Sequence, residues 1–118
     1  MDLAAKLQIK PGTQVAVIGC PADGPDLAPL GPTVANPAAA GAVVAFARLR
    51  DELSSIAGPA IEAALEDRLA WIAYPKAGQL GTDINRDSLA SAVAVLGVRP
   101  VRQVSLDDVW SALRFRPA

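Results

Sequence analysis

Three short runs of nearly unbroken apolar residues, Val15-Ala16-Val17-Ile18, Ala42 to Ala47 (AVVAFA) and Leu69 to Tyr74 (LAWIAY), set the firmest limit on how this chain can fold. Successive side chains of a strand point to opposite faces, so a strand with one wet face alternates apolar and polar residues. These runs do not alternate. They read as strands covered on both faces, the pattern of parallel strands in an α/β sheet. Each is strand-sized, far short of the roughly 20 apolar residues a bilayer crossing needs, so a membrane partner is not expected.

The connections differ in kind. Residues 2–8 carry Leu3, Ala4 and Leu7 at helical spacing and are stopped by Pro11 and Gly12. From Cys20 to Gly41, five prolines and three glycines fall within 22 residues, which breaks most regular structure. That link is expected to be a loop, with one short helical turn and a brief strand around Thr33 to Ala35. It reads either as a lid over a ligand or as a rigid surface connection, and the second reading is the more economical.

After the second run, Leu49, Leu53 and Ile56 fall at helical spacing up to a stop at Gly58. Pro59 then suits the first turn of another helix, in which Ile61, Ala64, Leu65 and Arg68 alternate with Glu62, Glu66 and Asp67 as an amphipathic face should. Leu89, Ala92, Val93 and Leu96 mark a further helix, with Gly97 at its C-terminal end. In the tail, VRQVSL and VWSALRFRP read as two strands joined by a turn at Asp107-Asp108; Leu113 and Phe115 share one face, Arg114 and Arg116 the other.

The order strand, irregular link, strand, helices, strand, helix, hairpin predicts one α/β domain over residues 1–118. Its expected architecture is three layers: a mostly parallel sheet with helices on both faces and a C-terminal antiparallel hairpin. Right-handed crossovers fix the topology. Ligands of such open sheets sit beyond the carboxyl ends of the strands.

One connection leaves a strand at that end and is rich in polar groups: IAYPKAGQLGTDINRD, Ile72 to Asp87. Lys76, Thr82, Asp83, Asn85 and Arg86 are the candidate anion-binding residues, because a helix N-terminus offers free backbone N–H groups and a partial positive charge that Lys76 and Arg86 would reinforce. The structural alternative uses the same residues: Asn85 or Asp83 caps the helix, Asp87 offsets its dipole, and Arg86 pairs with an acid. An acid/base pair of Asp83 with Lys76 would need a pKa moved toward neutrality, which a sequence does not display.

Other features bound the chemistry. The chain contains no histidine, so Ser-His-Asp and Cys-His nucleophile systems and His-based metal sites are excluded. The acids are scattered, so no metal site is expected, and the spacing of a phosphate-binding P-loop is absent. A formal net charge of −1 with both signs spread along the chain disfavours nucleic acid as a partner. The opening MDLAAKLQIKPG lacks the pattern of an export signal, and a cytoplasmic location is expected. Cys20, the lone cysteine, reads as an inert structural thiol before it reads as a reactive one. Arg99, Arg102, Arg114 and Arg116 make the hairpin basic, a common protection of edge strands against sheet-to-sheet pairing and otherwise a surface for an acidic partner. Trp71 is expected in the core, and Trp110 in the core or at a dimer interface.

KPGTQVAVIG, WIAYPK, TDINRD and VWSALRFRP, which together span nearly the whole chain, resemble a family of short bacterial proteins that form a domain of unknown function. The strand order also resembles a shortened class I S-adenosylmethionine-dependent methyltransferase, a Rossmann-like fold, with KPGTQVAVIG at its first strand. That resemblance implies S-adenosylmethionine as cofactor. The chain departs from it where GCPADG replaces the glycine-rich turn, and where Thr33 to Gly41 supplies no acid for the ribose hydroxyls. The expectation is therefore a non-catalytic or regulatory binding module for a small anionic metabolite or a protein partner, its small size allowing a homo-oligomer. The alternative is a small methyl or group transferase in which Asp23, Asp83 and Lys76 line the pocket and a second subunit supplies the missing walls.

Overall fold

The computed structural model describes residues 2–118. Its order is α1 (Leu3–Lys6), β1 (Val15–Ile18), β2 (Ala42–Phe46), α2 (Leu53–Ile56), α3 (Gly58–Leu65), β3 (Leu69–Pro75), α4 (Arg86–Ala94), β4 (Val98–Ser105) and β5 (Trp110–Pro117). The three apolar runs form β1, β2 and β3, which pair in parallel; β5 pairs antiparallel with β3, and β4 antiparallel with β5. The result is a mixed five-stranded sheet in the order β1-β2-β3-β5-β4. It is less parallel than the runs implied, because the final strand lies between β3 and β4 and makes two of the four pairings antiparallel.

The unbroken apolar runs are explained by burial on both sides. Val43, Ala45, Ile72, Tyr74, Leu113 and Phe115 pack with Ala60, Ile61, Ala63 and Ala64 of α3 and with Leu89 and Val93 of α4. Their strand neighbours Val44, Phe46, Trp71, Ala73, Trp110 and Ala112 pack with Leu3, Leu7, Ile9 and Leu30. Small residues on α3 let that helix lie close against the sheet, where dense packing is most favourable. On the opposite side the Trp71 indole N–H donates to the Leu7 carbonyl at 3.0 Å, a buried bond that fixes the chain leaving α1.

Several local outcomes differ from the sequence reading. Gly58 does not stop a helix; it starts α3, and Ala57 between the two helices keeps right-handed helical angles. Pro59 removes one ladder donor without turning the chain, because its fixed φ suits a first helical turn. Thr33 makes only an isolated parallel bridge to Val15 rather than a strand, so the second strand is Ala42–Phe46, and Asp51 and Glu52 are the first acids after it. Short helical turns occupy Ala28–Leu30 and Pro37–Ala39. In α4, Leu89 and Val93 are buried but Leu96 is 50% exposed, because the helix ends at Ala94 and Gly97, at φ +92, turns the chain into β4. The hairpin turn lies where it was read: an Asp107 carboxylate oxygen accepts from the N–H groups of Val109 and Trp110 at 2.8 and 2.7 Å. Among the described residues, no helix is long and apolar enough to cross a membrane.

Candidate functional site

Because β1, β2 and β3 run in parallel, their carboxyl ends share one rim, and three connections leave from it. Between them lies a hollow of about 360 Å³. Gly19, Pro21 and Asp23 reach it from β1, Arg48, Glu52 and Ile56 from the β2 connection, and Leu80 from the β3 connection. Phe46 and Trp110 form its floor, their rings edge to face with centroids 5.3 Å apart and planes at 72°, the arrangement that aromatic quadrupoles favour. Two other depressions are larger. One, of about 650 Å³, lies between α1 and the Pro29–Val34 segment near the start of β1; the other, of about 800 Å³, is a groove between α2–α3 and α4. The rim hollow is distinguished by drawing on all three parallel connections and by combining an aromatic floor with charged walls, the composition of small-molecule sites.

The walls are held by the polar residues of the third connection. Thr82 Oγ donates to the Arg48 carbonyl at 2.6 Å and accepts the Ile84 N–H at 3.1 Å. Asp83 accepts the Arg50 N–H at 2.8 Å. In return, the Arg48 guanidinium donates to the Leu80 carbonyl at 3.0 Å. From below, one Glu52 oxygen accepts the N–H groups of Arg48 and Leu49 at 2.6 and 3.1 Å. Gly78, Leu80 and Gly81 all have positive φ, so the loop doubles back sharply enough for Leu80 to face the hollow. Arg48 is thus positioned through both its main chain and its side chain, and makes no ion pair among the described residues. A guanidinium carries five N–H donors, so the bond to Leu80 leaves donors for an anion.

The five residues singled out in the sequence take separate partners. Lys76 Nζ donates to Ser105 Oγ at 2.8 Å, toward the hairpin. Thr82 and Asp83 hold the β2 connection. Asn85 caps α4: its side chain accepts the Ser88 N–H at 2.8 Å while Ser88 Oγ accepts the Asn85 N–H at 2.9 Å. Arg86 is the first residue of α4 and is exposed. Arg48 and Phe46 are not among the residues the sequence pointed to, and Trp110, expected in the core or at a dimer interface, is buried beneath the hollow. Arg48 is the first charged residue after AVVAFA, as Lys76 is after LAWIAYP, so the same sequence signal marks both strand ends.

Cys20, next to the rim, is half-buried; its thiol is directed at the Pro21 carbonyl at 3.6 Å, and burial raises its pKa, which keeps it protonated at neutral pH. Tyr74 faces the helical side, where its hydroxyl accepts from Gln103 Nε2 at 3.1 Å and burial raises its pKa. Among the described residues, no three of His, Cys, Asp and Glu gather into a metal-binding group. Comparison with protein-family models, with curated proteins and with solved structures found no match to this chain.

Proposed function

We propose that this protein is a small-molecule binding module, non-catalytic or regulatory, whose ligand occupies the rim hollow with an apolar part among Pro21, Ile56 and Leu80, above the buried Phe46–Trp110 pair, and an anionic group on Arg48. The observation that carries this reading is the position of Arg48: a cation fixed by the third connection and without an ion pair among the described residues, in a hollow whose two acids are Asp23 and Glu52, the latter with one oxygen turned to main-chain N–H groups. The volume of about 360 Å³ falls in the range of roughly 300–1,000 Å³ usual for small-molecule sites. The polar loop Lys76–Arg86 contributes here mainly by building the wall. Helical segments on both sides of the sheet support a three-layer, shortened methyltransferase-like architecture as part of the same proposal.

The transferase alternative fits the residues less well. The turn after β1 uses its glycines for its own packing: a Cβ on Gly19 would lie 3.0 Å from the Phe46 carbonyl oxygen and 3.4 Å from the Ile56 side chain, and one on Gly24 would lie 3.0 Å from Cys20 Sγ. These glycines are explained by the packing of the turn itself, so they do not mark a close backbone approach of a cofactor. The acid that follows β2 and lines the hollow, Glu52, has one oxygen taken by main-chain N–H groups. These features favour the binding module over the transferase.

A thermal-shift screen with AMP, inorganic phosphate, S-adenosylmethionine and its demethylated product separates the two readings, since a ligand selective for the native state raises the unfolding temperature. AMP is expected to stabilise the wild type and not Arg48→Ala. Stabilisation by S-adenosylmethionine and its product alone would favour the transferase instead.

A further inference from the structure

The four hairpin arginines are gathered onto one sheet face by register. Arg99 lies opposite Arg116 and Arg102 opposite Arg114, and residues directly opposite on antiparallel strands share a face. Arg114 and Arg116 continue the side of β5 that carries Trp110 and Ala112. Arg99 and Arg102 are three apart, so in a regular strand they would point to opposite sides. The bulge between Pro100 and Arg102 leaves Val101 without a partner and returns both arginines to the same face.

That arrangement contains a conflict. Like charges directly opposite destabilise a sheet, and here two such pairs follow each other. Of the four guanidiniums only that of Arg116 is paired with a carboxylate, Asp67, which accepts from its Nε and Nη2 at 2.9 and 3.0 Å, and Arg99, Arg102 and Arg114 make no ion pair among the described residues. Arg114 Nη1 donates to Gln8 Oε1 at 2.7 Å, yet its Nε is buried and has no acceptor in the protein. Burial, then the charges of Arg116 and Arg102, lower the Arg114 pKa, which places these three groups in one another's field. Sites where a fold keeps an uncompensated local conflict are where function concentrates.

We propose that this face of the β4–β5 hairpin is a second binding site, for a compact phosphate oxyanion of the pyrophosphate type, with Arg102 and Arg114 forming the cradle and Arg99 and Arg116 adding charge. Planar guanidinium forks match phosphate oxygens in bidentate fashion, and the anion relieves the repulsion across both pairs. The excess charge is confined to one hairpin face of a chain whose net charge is −1, which suits a compact anion better than the long backbone of a nucleic acid.

Titration calorimetry with sodium pyrophosphate at low ionic strength tests this on the wild type, Arg102→Gln, Arg114→Gln and a charge-matched control, Lys10→Gln. Each arginine variant is expected to bind about tenfold more weakly, the loss of one charged hydrogen-bond set, with the control unchanged. The Arg114 Nε–H resonance is expected to shift in the wild type as pyrophosphate is added. Arg102 is exposed on the edge strand, so Arg102→Gln carries the test even where Arg114→Gln folds poorly. The proposal is overturned by a wild type that ignores pyrophosphate, by equal losses in Lys10→Gln, by unchanged affinity in Arg102→Gln, or by binding of oligothymidylate without binding of pyrophosphate.

Discussion

Gly19 follows β1 in the left-handed region, at φ +72, with the Phe46 carbonyl oxygen 3.0 Å from where a Cβ would lie. A Cβ there incurs both a backbone cost of roughly 1–2 kcal/mol and a contact with main chain that cannot swing away. Gly19→Ala is expected to lower stability by about 1–3 kcal/mol in urea unfolding; an unchanged midpoint would show that the turn can relax. Asp67 makes a different kind of prediction. Its carboxyl is held below the ordinary carboxylate range first by the hydrogen bond from Arg116, then by the charges of Arg116 and Arg114. A folded pKa lower than the unfolded one means that the stabilisation is complete above the unfolded value and is lost as pH falls through the folded one. Unfolding temperatures of the wild type and Asp67→Asn should therefore differ at neutral pH and converge in acid below the usual carboxylate range. A difference independent of pH would assign the effect to packing instead. The pair is exposed at the surface, so the difference is small.

Among elements, α4 shows how local chemistry and rim geometry are joined. Asn85 and Ser88 satisfy its first turn reciprocally, and just before them Thr82 and Asp83 bind the main chain after β2. Asn85→Ala is expected to cost about 1 kcal/mol, measured by chemical denaturation, with the loop's bonds to Arg48 and Arg50 intact. Loss of the whole rim instead, seen as collapse of the native amide spectrum, would show that cap and rim fail together. The elements readable in the sequence were those whose burial demanded a pattern: three strands covered on both faces, α4 with Leu89 and Val93 inward, and a hairpin whose arginines alternate with Leu113 and Phe115. What stayed hidden depended on contacts across the chain. Thr82 and Asp83 could be read as ligands because nothing in TDINRD shows that the β2 connection lies within 3 Å of them. The bulge at Val101, which gathers the hairpin arginines, follows from pairing with β5 and leaves no mark on the β4 sequence alone.

For the molecule as a whole, parallel direction in β1, β2 and β3 is the cause of everything proposed at the rim. It brings Gly19, Arg48 and Leu80, about 30 residues apart along the chain in each step, to one hollow above the Phe46–Trp110 pair, much as open α/β sheets collect their ligands. The antiparallel hairpin closes that floor with Trp110 and carries its basic face toward the far end of the same strand, so the two proposed sites are separated along β5. The most direct test of the rim site is an amide chemical-shift map of the labelled wild-type protein titrated with AMP. Saturable shifts at Gly19, Arg48 and Leu80, absent in Arg48→Ala, are the result the account requires. Saturable shifts confined to the groove between α3 and α4, or no shift at all at the carboxyl rim, would contradict it.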